Sequence, residues 1–357
     1  MPLLFFFSKS APALITGNTV VLKSSEKAPL TSARVAELIV EAGFPPGVFN
    51  ILSGSGNVGD VLAKHMDVRV LSFTGSSRTG KLIQENAAKT NLKKVVLELG
   101  GEPYITLTVP PFRRDLQLKY FMLILLLGKS PSIVFADANL SNAVEQTQAS
   151  IQSNSGQVCM ANSRIYVQKS IAEAFIVAFK TRFAQVTMGD PTLSEVNHGP
   201  QADEIQYKNV TAYIEEGKKT GTLALGGQGL LESRNGFFVE PTVFLDTPED
   251  ARVMKEEIFG PVVLINTFET EEEAIRKAND TEYGLYAAVF TKNISRAMRV
   301  AKALESGYVA INCTSPTTAK DLPFGGYKGS GQGREGWLYS MDNYLEHKSV
   351  MIKLDDE

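Results

Sequence analysis

Two side chains in this sequence have the chemistry for covalent catalysis followed by hydrolysis. Cys159 ends the small-residue run Ser153-Asn154-Ser155-Gly156-Gln157-Val158-Cys159, after a helix-patterned stretch and before a strand-patterned one. Glu98 stands in Leu97-Glu98-Leu99-Gly100-Gly101, at the end of an apolar run. A thiolate can hold a carbonyl carbon covalently, and a carboxylate nearby can take a proton from the water that releases it. An isolated cysteine is most often a buried structural thiol. The Gly-rich turn beside each residue is what raises the catalytic reading above that one.

The totals narrow the remaining choices. Among 357 residues, 36 basic and 39 acidic side chains leave a net charge of −3, so electrostatics argue for neither a nucleic-acid nor an anionic-membrane partner. The length supports a sizeable core and predicts two domains. Cys159 and Cys313 are the only cysteines, which argues against a disulfide framework and fits a reducing, cytoplasmic setting. His65, His198 and His347 have no Cys or Glu partners at metal-ligand spacing, which argues against a zinc-dependent dehydrogenase. The opening run Pro2–Phe7 lacks the basic start of a signal peptide, and the apolar run Phe121–Leu127 is too short to cross a bilayer.

The elements that must position the two residues alternate between strand and helix. Strands are predicted at Thr19–Leu22, Val48–Leu52, Val68–Phe73 and Val95–Leu99, with helices at Thr31–Ala42, Gly59–His65 and Arg78–Ala88. Further strands are predicted at Ile133–Phe135, Arg164–Val167, Val262–Phe268, Ala287–Thr291 and Tyr308–Asn312. Helices fall near 141–153, 170–184, 203–219, 270–279 and 293–305. Such alternation predicts an α/β fold, with parallel sheets covered by helices on both faces. Ser349–Leu354 reads as an edge strand. Residues 102–128 have neither period and interrupt a short strand-to-strand connection.

Seven ordered motifs resemble the NAD(P)-dependent aldehyde dehydrogenase superfamily. They are Gly17-Asn18-Thr19-Val20-Val21-Leu22-Lys23, Glu41-Ala42-Gly43-Phe44-Pro45-Pro46-Gly47-Val48, Phe73-Thr74-Gly75-Ser76, the Glu98 motif, the Cys159 loop, Glu256-Glu257-Ile258-Phe259-Gly260-Pro261 and Pro323-Phe324-Gly325-Gly326-Tyr327-Lys328. The resemblance implies that Cys159 attacks an aldehyde to give a thiohemiacetal, and that hydride loss to NAD leaves a thioester. It implies Glu98 as the base for water, which favours hydrolysis over transfer to coenzyme A. Lys23 and Glu26 match positions that hold the adenosine ribose, where a carboxylate favours NAD over NADP. Gly75 and Ser76 match a turn at the pyrophosphate. Glu257 and Phe259 match residues that position the nicotinamide ribose and ring. Gly59 closes Gly54-x-Gly56-x-x-Gly59, with a cofactor contact or close helix packing as its two readings. Phe324 matches an aromatic near the substrate tunnel, and Cys313 reads as a small buried residue. Which aldehyde is used is not legible.

The implied organisation is a partial NAD-binding domain at 1–101, an atypical insertion at 102–128, a catalytic domain at 129–340 and a C-terminal oligomerisation strand at 341–357. Homo-oligomers are the rule in the family. Its members carry further sequence ahead of the segment that starts here at Pro2, including an Asn that donates to the oxyanion. Excising 102–128 would join Leu99-Gly100-Gly101 to Lys129-Ser130-Pro131 and restore the family pattern, as a translated intron would require. The alternative to a working enzyme is an impaired remnant or mis-assembled fragment that at most binds nucleotide or another subunit.

Overall fold

The computed structural model describes residues 2–99, 128–319 and 321–353. Residues 102–127 of the expected insertion, with Gly100 and Gly101, lie outside the described residues. The first part comprises α1 (Pro2–Ile15), β1 (Val20–Lys23), α2 (Pro29–Glu41), β2 (Phe49–Leu52), α3 (Gly56–Lys64), β3 (Val70–Gly75), α4 (Ser77–Ala88) and β4 (Lys94–Leu99). β1 pairs in parallel with β2, and β3 with β4. β4 is nearly all buried because Val95, Leu97 and Leu99 pack with Ile83 and Ala87 of α4 and Ala63 of α3. That packing fixes the strand that carries Glu98.

The second part is built on β5 (Pro131–Val134), α5 (Leu140–Gln152), β6 (Arg164–Gln168), α6 (Ala172–Phe183), α7 (Glu204–Thr220), β7 (Thr222–Leu225), β8 (Thr242–Leu245), β9 (Val262–Phe268), β10 (Tyr283–Gly284), β11 (Tyr286–Phe290) and β12 (Tyr308–Ile311). Seven of these strands form one sheet in the order β12-β11-β5-β6-β9-β8-β7. Every pair is parallel except β7 with β8. Strands covered on both faces read as continuous apolar runs, and Val262-Val263-Leu264-Ile265 of β9 is one. Alternate residues feed two cores. Ile133, Tyr166 and Leu264 face the side of α7, while Val134, Ile165 and Val263 face α5 and α6.

Two short strands near the C-terminus, β13 (Tyr327–Lys328) and β14 (Gly331–Gln332), tie the parts together. β14 pairs antiparallel with β4, placing Gly331 opposite Glu98. A residue larger than Gly331 would meet the Leu97 carbonyl oxygen at 2.2 Å, so the close strand approach depends on a glycine there.

One segment to which no element was assigned is helical, and one expectation changes. The opening apolar run forms the 14-residue α1, because Phe6 is buried and stacks on Phe49 at 5.4 Å. The edge strand expected at Ser349–Leu354 is not formed over residues 349–353, where Val350, Met351 and Ile352 are exposed. A strand needs a neighbour to satisfy its N–H and C=O groups, and these residues pair with none of the described residues.

Candidate active site

Cys159 lies just beyond a single 3-10 turn, Ser153–Gly156, that ends α5. Asn154, Ser155 and Gly156 all take positive φ, at 51°, 55° and 75°. Strain of this kind persists only where the surroundings over-determine it. Here the loop is bonded to residues 199–202. Ser155 donates to the Gly199 carbonyl (2.8 Å), Gln157 donates to the Pro200 carbonyl (3.3 Å) and accepts from Ala202 N–H (2.8 Å), and Gln201 donates to the Ser155 carbonyl (3.2 Å). Gly156 lies so close to Gly260 that a Cβ would meet its carbonyl oxygen at 2.0 Å. The Cys159 loop and the loop of Glu257 and Phe259 are thereby packed together.

Cys159 is half-buried and packs with Phe324, Cys313, Met160 and Tyr308 around Leu285, Tyr286 and Ala310. Cys313, expected to be buried, is likewise only half-buried. Burial first, then the negative charges of Glu257 and Glu98, push the Cys159 thiol up to about 12. Both carboxylates are therefore felt at the sulfur. Glu257 is buried, and its carboxylate and the Cys159 carbonyl close on Gly128, where a Cβ would meet them at 3.1 and 2.4 Å. Phe259 takes φ 54°, and its carbonyl accepts from Gln206 at 2.8 Å.

Glu98 is buried on β4 beside its register partner Thr74, whose hydroxyl donates to Glu98 Oε2 at 3.0 Å. Two residues that the sequence reading missed complete its surroundings. Lys9 Nζ of α1 lies 3.0 Å from Glu98 Oε2 and also binds Glu335. Glu335 accepts from Ser72 at 3.2 Å, and burial and the Glu98 charge push its carboxyl up to about 7 against the opposing pull of Lys9. The one available signal was that Lys9 is the only charge in the helix PLLFFFSKSAPALI. A cavity of about 320 Å³ opens over this cluster and is bordered by Glu98, Glu335 and Phe324. Cys159 is not on its wall. Phe324 belongs both to the cavity and to the cluster on which Cys159 packs.

The remaining predicted residues gather on the β1–α4 part. Lys23 donates to Glu26 Oε2 at 2.9 Å, which holds the Glu26 carboxyl below its ordinary value. Thr74-Gly75-Ser76 ends β3, with Gly75 opposite Leu99. Ser76 caps the 12-residue α4 by accepting from Thr79 N–H at 3.2 Å, so that helix starts next to the strand pair of Glu98. A Cβ on Gly59 would meet nothing within 4 Å, which removes close helix packing as the reason for a glycine there. An ionised acceptor beside an ammonium, and a helix N-terminus on the next strand, suit ribose hydroxyls and a pyrophosphate.

The sequence matches the profile of the aldehyde dehydrogenase family over residues 1–108 and 119–350. The chain belongs to the aldehyde dehydrogenase family. It is 44% identical to an aldehyde dehydrogenase of Alternaria alternata, over 99% of this chain and 66% of that protein. It is 45% identical to aldehyde dehydrogenase 1A1 of Gallus gallus, over 99% of this chain and 64% of that one. Among solved structures, the aldehyde dehydrogenase KauB of Pseudomonas aeruginosa superposes with a TM-score of 0.89 at 43% identity, covering 99% of this chain and 66% of the other. The P. syringae indole-3-acetaldehyde dehydrogenase in complex with NAD+ gives 0.89 at 42%, with the same coverage. The chain thus spans slightly less than two thirds of the length of the relatives it matches.

Proposed function

We propose that this chain oxidises an aldehyde to a carboxylic acid with NAD, using Cys159 as nucleophile and Glu98 as general base. The observation that carries the reading is that Phe324 borders the cavity over Glu98 and also packs on the apolar cluster that holds Cys159, which links two residues far apart in sequence. The unliganded thiol is protonated at neutral pH, so its proton must leave as the aldehyde carbonyl is attacked. The thiolate then forms a thiohemiacetal, and loss of hydride leaves a thioester on Cys159. NAD, when bound, supplies the hydride acceptor.

Glu98 takes a proton from water as that water attacks the thioester. Lys9 holds the Glu98 carboxylate in place, and Thr74 donates to the same oxygen. Lys23 and Glu26 would hold the adenosine ribose, the N-terminus of α4 with Gly75 and Ser76 the pyrophosphate, and Glu257 and Phe259 the nicotinamide side. Gly59 has open space in front of it, which suits a cofactor contact there. The ionised Glu26 carboxylate opposes a 2′-phosphate, which favours NAD over NADP. Several structural relatives, among them a betaine aldehyde dehydrogenase of Staphylococcus aureus, were solved in complex with NAD+, which supports the cofactor.

Among the described residues, no helix is long and apolar enough to cross a membrane. A cytoplasmic setting is part of this proposal and is supported by the two free cysteines.

The test is NADH formation on adding aldehyde. Cys159→Ala should abolish it, with a loss of about 1,000-fold or more, while NAD binding is retained. NADH formation that survives the substitution would show that the nucleophile is elsewhere.

A further inference from the structure

We propose that Lys27 and Asp203 form a strap that fixes the span between the two ends of the NAD site, so that both are positioning residues for the dinucleotide. This rests on the cofactor reading given above and adds to it the pair that joins its halves. Lys27 lies in the turn between β1 and α2 that also carries Glu26, just after Lys23. The turn is closed by Ala28 N–H, which donates to the Ser25 carbonyl at 3.2 Å, and anchored by Ser24 N–H, which donates to the Leu52 carbonyl at 2.9 Å. From this turn the Lys27 ammonium reaches the Asp203 carboxylate, in the second part of the molecule.

Asp203 stands where the loops of the reaction centre are gripped. It is the N-cap of the 17-residue α7, where its Oδ1 accepts from Gln206 N–H at 2.8 Å while its Oδ2 meets Lys27. Within the first turn of that helix, the Gln206 side chain donates to the Ile258 and Phe259 carbonyls at 3.2 and 2.8 Å. Just before the cap, Ala202 N–H donates to Gln157 of the Cys159 loop at 2.8 Å. Residues 202–206 therefore hold the adenosine end through Lys27, the nicotinamide end through Gln206 and the nucleophile loop through Ala202. Against the effect of its own burial, Lys27 and the N–H groups of Gln206 and Ile205 keep the Asp203 carboxyl below its ordinary value, so Asp203 is ionised at neutral pH. A ligand that must reach both ends binds better when their separation is fixed beforehand, because its second contact is then made within one complex. A ligand that reaches one end is indifferent to that span. Lys27 is exposed and Asp203 half-buried, so the pair contributes a few-fold in affinity and is weakened by salt.

Calorimetric titration of the full chain with NAD, and with AMP, which carries the adenosine ribose but no nicotinamide, separates a strap from a local contact. Lys27→Met and Asp203→Asn should each weaken NAD binding about threefold and leave AMP binding unchanged. Asparagine still caps α7, so the second variant keeps the helix start intact. Lys27→Arg should bind NAD as the parent does, and the Lys27→Met, Asp203→Asn double variant should bind no more weakly than either single one. The difference between parent and Lys27→Met should fade as salt is raised from about 0.05 to about 1 M. Equal NAD affinity in parent and Lys27→Met, or an equal loss for AMP and for NAD, overturns the proposal while leaving the cofactor reading in place. Failure of the parent to bind NAD at all would overturn the cofactor reading and the proposal with it.

Discussion

At Cys159 the physical difficulty is the proton. With the thiol pushed up to about 12, only roughly one molecule in ten thousand carries the thiolate at pH 8 in the absence of ligand. Alkylation of Cys159 by iodoacetamide should therefore climb about tenfold for each pH unit between 8 and 11, followed by peptide mass spectrometry to separate it from Cys313. A plateau below pH 9 would contradict the burial and carboxylate effects described above. Glu26 makes a second case at this scale. Its carboxyl is held ionised by Lys23 and stands where the 2′-hydroxyl of the ribose is expected. Replacing it, Glu26→Ser, should narrow the preference for NAD over NADP by about tenfold or more, read as the ratio of kcat/KM values. An unchanged ratio would remove Glu26 from the ribose site.

At the level of elements, the turn between α5 and β6 is where the chain has least freedom. Gly156→Ala would add a Cβ at φ 75° and 2.0 Å from the Gly260 carbonyl oxygen. We expect a loss of about 3 kcal/mol or more, or failure to fold, measured by denaturant unfolding. A variant as stable as the parent would mean that the Cys159 loop is not pressed against the Gly260 loop. The ion pairs joining α1 to β4 and to Glu335 have side chains only 8–13% exposed. Lys9→Met leaves two buried carboxylates without their shared cation and should cost roughly 3 kcal/mol at pH 8. The loss should shrink below pH 7, where Glu335 takes up its proton. A pH-independent loss would mean that packing, not charge, explains the effect. Much of this layer was legible beforehand. Val262–Phe268 was placed to the residue because a doubly covered strand writes an apolar run, here Val262-Val263-Leu264-Ile265 with Phe268 closing it. The Cys159 and Glu98 turns carried recognisable residue patterns. Lys9 and Glu335 were not legible, because a pair 326 positions apart leaves no local period. The two-residue strands β13 and β14 are shorter than any alternation can reveal.

For the molecule as a whole, Lys129 marks a cost built into the join between its two parts. It is buried, its ammonium has no hydrogen-bond partner among the described residues, and burial and the Arg164 charge lower it to about 7. The unfolded chain binds this proton below about 10.5, whereas the folded chain binds it only below about 7. Stability is therefore unaffected above the unfolded value and is lost as pH falls from there to 7. Lys129→Met should flatten that rise of stability with pH and raise the unfolding midpoint at pH 7, and an unchanged pH profile would contradict the account. The larger claim is also one of whole-molecule geometry, since Cys159 lies on the loop leading into β6 of the seven-stranded sheet and Glu98 on β4 of the three-stranded one. Their cooperation is tested most directly by mixing Glu98→Gln with NAD and phenylacetaldehyde and weighing the intact protein and its peptides. The account predicts one acyl group per chain, on Cys159, formed with about one equivalent of NADH and released slowly or not at all. An acyl group on another residue, or NADH turnover as fast as in the parent with no acyl group trapped, would contradict it.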